Sequence, residues 1–281
     1  MTERCWVDGV EDGHVPADDR GLNLSDGAFE TLRVRDGLAA CFSLHQARLE
    51  TGLACLGFHS PRALATDALC SAITWLTGAD SSPSGILRIT VTRGSGPRGY
   101  RAPVSPTVRI IARFSPEQPV IGEPARLGIA PIHYSSQPHF HGAKLLARVE
   151  QVLATSWAQQ QGYDDVVMTS DQGEWVSGGS GNLFLRIGRT LYTPPIVAMG
   201  IAGTRRQLIL SRLADVCGYS VEVQPCNAST AEAASEAFLC NAVVGIRPVK
   251  TAGDREFASH EAAIALEGHI HDWNDTWLVG R

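Results

Sequence analysis

The segment "SPEQPVIGEPAR" at residues 115–126 concentrates proline, glycine and charge between two stretches that each mix strand and helix periodicity. That arrangement limits the chain to a two-domain α/β or α+β architecture. We expect an N-terminal domain over 1–114, a linker at 115–125 and a C-terminal domain over 126–281. Before the linker, "ETLRVRDGLAACFS" sets two β-rich runs around Asp36-Gly37, a hairpin signal because glycine accepts the positive φ such turns require. "SLHQARLETGLACLGF" carries Leu44, Leu49, Leu53 and Leu56 near helical spacing, with Ser43 as the expected N-cap. "PRALATDALCSAITWLTG" predicts a second helix between Pro61 and Gly78, and "GILRITVTR" and "TVRIIARFS" alternate as half-buried strands. Beyond the linker, strands are expected near "ARLGIAPI", 164–169, 174–177 and 182–186, with a helix after Lys144. A turn and helix at "GIAGTRRQLILSRLADVCG" precede strands at "YSVEVQP" and "EAFLCNAVVGIRPV"; helices return near "TAEAASEAF" and "SHEAAIALEGHIHDW".

A net charge of −5 gives no electrostatic reason to expect nucleic acid or an anionic membrane as partner. No apolar run reaches transmembrane length, and "MTERCWVDGVEDG" is too polar and acidic for a signal peptide, so the expected location is the cytoplasm. The seven cysteines are odd in number and form no C-x-x-C pair, which suits reduced thiols.

Among 24 cationic side chains only two are lysine, Lys144 and Lys250. Guanidinium stays protonated, whereas an ε-amine sheds its proton when desolvated and attacks a carbonyl. A chain that writes its positive charge as arginine therefore points to Lys144 as an imine-forming amine. A solvated lysine at a helix start is the alternative reading of the same position. After it, Leu146, Val149, Leu153 and Trp157 follow a one-sided helical stripe that ends near Gly162.

"HFHGAKLLARVEQVLA" resembles the lysine segment of the class IV aminotransferase-like family, the fold-type IV pyridoxal-phosphate enzymes, and within it the aminodeoxychorismate lyases. The residues that carry the likeness are Pro138, His139, Gly142, Lys144, Leu146, Arg148, Glu150, Gln151, Val152 and Leu153. "DDRGLNLSDGAFETLRVRDG", "LHQARLE" and "TRGSGPRGYR" are similar to further blocks of that family, so the resemblance spans nearly the whole chain. It implies a D-amino-acid-aminotransferase-like fold of two domains, with pyridoxal 5'-phosphate in a cleft between them and a homodimer as the assembly. Lys144 is then the catalytic Schiff-base residue, carried by the C-terminal domain.

The phosphate of that cofactor suits N–H groups at a helix start. Gly200 and Gly203 free the backbone in "MGIAGTRRQLIL", and by resemblance Thr204 and Arg205 donate N–H groups there. Arg48 corresponds to the family's phosphate-binding arginine, and Asn241 in "CNAVVG" is a further candidate. Without the family frame, the turn reads as an ordinary helix start and Arg48 as a surface cation.

The family usually places a glutamate beside the pyridine nitrogen. In "EWVSGGSGNLF", aligned on Asn182, that position is Ser177, or Gly178 after a one-residue shift; either way the acid is missing. Ala147 stands where the lyases commonly have Asn. A hydroxyl leaves the ring more often neutral, which handicaps transamination more than an elimination whose product is aromatic. The leading expectation is therefore the lyase that forms 4-aminobenzoate and pyruvate in folate synthesis. A D-amino-acid or branched-chain-type aminotransferase, or a drifted cofactor-binding paralogue, is the alternative.

For substrate carboxylates the sequence offers Arg98 and Arg109, each equally readable as a solvated cation. Phe29 and Thr31 are expected to line the substrate side, although Phe29 also suits the core. The H-x-H pairs at 139–141 and 269–271 lack a third ligand nearby, and no metal is expected.

Overall fold

In the computed structural model, residues 3–79, 82–116, 122–140 and 142–270 are described, and they divide into two compact units. No helix among them is long and apolar enough to cross a membrane.

The first unit contains residues 3–79, 82–116 and 143–147. Its strands are β1 (Arg4–Val7), β2 (Val10–Glu11), β3 (Gly27–Arg35), β4 (Leu38–Ala39), β5 (Gly85–Thr92) and β6 (Arg109–Ser115); its helices are α1 (Arg20–Leu24), α2 (Phe42–Cys55) and α3 (Pro61–Ala79). All strands pair antiparallel in the order β2-β1-β6-β5-β3-β4. Alternation decides the faces. Ala28, Leu32 and Val34 of β3, Leu87, Ile89 and Val91 of β5, and Ala112 and Phe114 of β6 join Leu49, Leu53, Leu69, Ile73 and Leu76 of α2 and α3 in one core. The intervening residues, among them Phe29, Thr31, Arg88 and Arg113, fall on the other face. Asp36 and Gly37 both take positive φ (51° and 79°) in the expected β3–β4 hairpin. The expected N-cap Ser43 lies inside α2 instead: the helix begins at Phe42, after Cys41 in a left-handed conformation.

The second unit holds β7 (Ala125–His133), α4 (Val149–Gln160), β8 (Asp165–Thr169), β9 (Trp175–Gly178), β10 (Asn182–Ile187), β11 (Thr190–Thr193), α5 (Thr204–Leu208), α6 (Ala214–Val216), β12 (Ser220–Val223), α7 (Ala228–Ala233), β13 (Glu236–Asn241), β14 (Gly245–Ala252), β15 (Arg255–Glu256) and α8 (Glu261–His269). A π-helical turn, Ile209–Leu213, joins α5 to α6. The main path of its nine-stranded sheet is β12-β11-β10-β13-β14-β7-β8-β9, with β15 beside β14. β7 and β8 pair in parallel through α4, the crossover such pairing requires. The strands β8, β9 and β13 are buried along most of their length, as expected for a sheet covered on both faces.

Two expectations are corrected here. The stripe after Lys144 does not form one buried helical face: α4 starts only at Val149, and Val149 and Leu153 are exposed. Its buried face uses Ala154 and Ala158, small residues that let the helix lie close over β7 and β8, with Trp157 half-buried beside them. Lys144 itself also groups with the first unit rather than the C-terminal domain. The Phe29 N–H donates to the Lys144 carbonyl, and the Leu146 N–H to the Gly27 carbonyl, both at 3.0 Å. This bridge, centred on Ala28 and Leu145, ties residues 143–147 to β3 although they lie far from it in sequence. Of the expected linker, residues 117–121 lie outside the described residues.

Candidate active site

In the first unit, the short pairing with β3 holds Lys144 beside Phe29. The Lys144 Nζ lies 4.7 Å from the Phe29 ring centre, and the Arg88 guanidinium carbon 3.9 Å from the same ring. One aromatic ring thus serves an amine and a guanidinium. Thr31 sits opposite Arg88 across the β3–β5 ladder, and Arg88 sits opposite Arg113 across β5–β6. Loss of hydration and then the Arg113 charge push the Arg88 guanidinium pKa down. Like charges directly opposite on adjacent strands are unfavourable, and here the Glu3 carboxylate meets Arg113 at 2.9 Å.

On the helix side of β3, Glu30 is fully buried. Arg48 of α2 donates to it twice, through Nε at 2.8 Å and Nη2 at 2.6 Å, and His45 Nδ1 lies 2.6 Å from the same carboxylate. Burial alone would raise the Glu30 pKa, but Arg48 and then His45 more than offset it, and the carboxyl stays well below its usual range. Burial pushes His45 down from 6.5 to about 4, against the pull of Glu30 and with help from Arg48 and Lys144. His45 is therefore a neutral imidazole donating Nδ1–H to Glu30.

Arg98 is exposed on the β5–β6 connection. Arg109 lies elsewhere, with its Nη1 on Asp8 at 2.7 Å and its Nε on buried Asp19 at 3.1 Å. Those carboxylates neutralise it within the chain, which a spacing argument could not foresee.

In the second unit, the helical run Thr204–Val216 begins after Gly203, and any helix start directs N–H groups out of its end. Asn182 Nδ2 donates to the Ile201 carbonyl at 2.8 Å, and the Asn182 carboxamide lies where a Cβ on Gly203 would sit. Glycine is therefore required at 203 for the turn to close on Asn182. Thr204 is buried, yet its hydroxyl has no hydrogen-bond partner among the described residues. Arg205 and Arg206 are buried beside it, Arg206 donating to the Pro194 carbonyl at 3.0 Å. Asn241 accepts from Val243 and Val244 N–H at 2.9 and 2.7 Å, so its side chain shapes its own turn. Ser177 is buried, donates to the Gly178 carbonyl at 2.7 Å and lies 3.2 Å from the Tyr134 hydroxyl.

An unsatisfied buried hydroxyl at a helix start is costly unless an acceptor arrives. With the N–H groups of that turn it fits a phosphate, and a primary amine beside an aromatic ring fits an aldehyde carrier. Residues 27–252 match the family model for amino-transferase class IV.

The chain belongs to the class IV aminotransferase family.

Members of this pyridoxal-phosphate-dependent family are enzymes, and the present member has their fold-type IV architecture. It is 29% identical over 249 residues to an aminodeoxychorismate lyase of Vibrio harveyi, covering 87% of this chain and 89% of that protein. A putative branched-chain-amino-acid aminotransferase of Methanocaldococcus jannaschii is 27% identical over 247 residues, covering 85% and 83%. Among solved structures, 4-amino-4-deoxychorismate lyase from Pseudomonas aeruginosa superimposes with a TM-score of 0.85 at 31% identity, over 96% of this chain and 98% of that one.

Sequence reasoning missed four residues of this class IV chain that the structure brings forward. Glu30 and His45 lie within the matching blocks but acquire meaning only when α2 packs on β3. Arg88 sits in the alternation of "GILRITVTR", where a charge on an outward position reads as solvated. Tyr134 has no local signal at all. The pairs His139–His141 and His269–His271 each include a histidine outside the described residues.

Proposed function

We propose that this chain is a pyridoxal-phosphate-dependent lyase that splits 4-amino-4-deoxychorismate into 4-aminobenzoate and pyruvate. The observation that carries this reading is Ser177. By the resemblance of its block, a buried hydroxyl tied to Tyr134 and the Gly178 carbonyl stands where the family usually has a carboxylate. Bound pyridoxal phosphate supplies an aldehyde for amine capture and a ring that accepts electrons. A hydroxyl cannot hold a proton on the ring nitrogen as a carboxylate does, so a reaction that leans on a deep electron sink loses most. Elimination of the enolpyruvyl oxygen leaves an aromatic ring, which supplies driving force of its own. The atoms of the substrate equal those of 4-aminobenzoate plus pyruvate, so no keto acid, reductant or water is consumed.

Lys144 would hold the cofactor aldehyde, and its amine, when free, would accept the proton from substrate C4. Thr204 and Arg205 bind the phosphate through the helix start, with Asn241 shaping the neighbouring turn. Arg48 adds a guanidinium that Glu30 holds in plane. Phe29 and Thr31 line the substrate side, with Arg98 and Arg88 as carboxylate partners; Arg109 is occupied by Asp8 and Asp19. The reading extends to a cytoplasmic homodimer acting in folate synthesis, the setting that the lyase resemblance implies.

The test supplies aminodeoxychorismate with and without an added keto acid and quantifies pyruvate and 4-aminobenzoate. The lyase releases both at equal rates in either case. Substrate consumption only with the keto acid, giving an amino acid and no 4-aminobenzoate, selects an aminotransferase of the same fold, and no consumption in either case leaves a cofactor-binding paralogue.

A further inference from the structure

Arg20 follows the N-cap Asp19 of α1 and is almost fully buried. Its Nη1 donates to the Gly99 and Arg101 carbonyls, each at 3.3 Å, and its Nη2 to the Tyr100 carbonyl at 2.9 Å. The Nε donates to Asp26 at 2.8 Å, and the backbone N–H to the Gly94 carbonyl at 2.8 Å. Asp26 also takes Arg93 at 2.9 Å, so one carboxylate serves two guanidiniums. The positive charge left over is met by the carbonyl dipoles of the loop. Three consecutive carbonyls turned inward onto one cation force the side chains of that loop outward. Tyr100 is accordingly 89% exposed, and Arg98 and Arg101 are exposed with it. Gly96 completes the fit: a Cβ there would lie 2.7 Å from the Arg20 Cδ.

We propose that Arg20 is a positioning residue for substrate recognition, holding the 99–101 backbone so that Arg98 meets a substrate carboxylate at fixed reach. The inference rests on the lyase reading at one point only, the role of Arg98. A lysine cannot replace Arg20, because a single ammonium does not span three carbonyls and a carboxylate together. A surface loop with exposed arginines and no such anchor opens readily and is cut by trypsin after Arg98 or Arg101.

The test uses the full chain with pyridoxal phosphate and the Arg20→Lys variant. Fragments from limited trypsin digestion are mapped by mass spectrometry, and KM and kcat are measured for aminodeoxychorismate. We expect cleavage in the loop to rise about tenfold while the cofactor is retained. The KM should rise about tenfold with kcat changed less than about threefold, the pattern of lost substrate binding rather than lost chemistry. Unchanged loop cleavage in a folded Arg20→Lys protein overturns the proposal, and so does faster cleavage with an unchanged KM. Should Arg20→Lys fail to fold, Gly96→Ala presses on the Arg20 stem from the loop side and is held to the same two outcomes. If the wild-type chain releases no pyruvate, the lyase reading fails; the cleavage measurement, which needs no substrate, still decides whether Arg20 holds the loop.

Discussion

Around Lys144 the buried carboxylate of Glu30 receives two bonds from Arg48 and one from His45. At the turn before α5, by contrast, the buried Thr204 hydroxyl has no partner among the described residues. The first arrangement pairs its charges within the chain, so Glu30 fixes the Arg48 and His45 geometry before any ligand arrives. The second leaves a polar atom whose desolvation is uncompensated within the described residues, which is what a ligand site costs before it is filled. His45 stands between the two cases: its Nδ1 serves Glu30, while its buried Nε2 has no hydrogen-bond partner among the described residues.

Changes at these two places should separate by kind. Lys144→Ala is expected to have the largest effect, abolishing borohydride-fixable attachment of pyridoxal phosphate and lowering product release by at least about a thousandfold. Mass spectrometry after reduction checks the first outcome and a product assay the second. Next comes Glu30→Gln, which strands the Arg48 charge in the core. Chemical denaturation should show a loss of about 3 kcal/mol even without cofactor. An unchanged midpoint would mean that the closed cluster does not stabilise the fold.

The protonation of His45 gives a pH signature of the same cluster. Its pKa is depressed in the folded chain, from 6.5 to about 4, so the unfolded chain binds more protons between those values. The His45 contribution is fully present above pH 6.5 and is lost as pH falls toward 4, with a slope approaching about 1.4 kcal/mol per pH unit. His45→Asn should flatten that part of the stability profile, as measured by denaturation at a series of pH values.

The smallest effect belongs to Thr204→Val, a near-isosteric removal of the unsatisfied hydroxyl. Stability without cofactor should hold or rise by about 1 kcal/mol, while affinity for pyridoxal phosphate falls about tenfold. A fall in both would show that the hydroxyl is a structural partner after all, and the contrast between the two regions would be lost.

Much of this was legible in order along the chain. The Asp36-Gly37 hairpin, the alternation of β5 and β6, and the helix start after Gly203 are local signals, because turn chemistry and periodicity act over a few residues. So were the residue types at 144 and 177, an amine and a hydroxyl, since residue type alone decides whether an amine or a carboxylate is available. What could not be read were relations between distant residues. The 143–147 segment pairs with β3, Arg109 is neutralised by Asp8 and Asp19, and Arg20 reaches the 99–101 carbonyls, each across a long stretch of sequence. The α4 stripe misled for a related reason: burial depends on what the helix packs against, and small alanines over β7 and β8 displaced the larger apolar residues outward. The sequence by itself determined which chemical groups the chain carries and where its turns and periodic elements fall. Only the tertiary structure decided which cations are already matched by carboxylates and which buried polar atoms lack a hydrogen bond, because pairing and desolvation depend on distances that no linear pattern encodes.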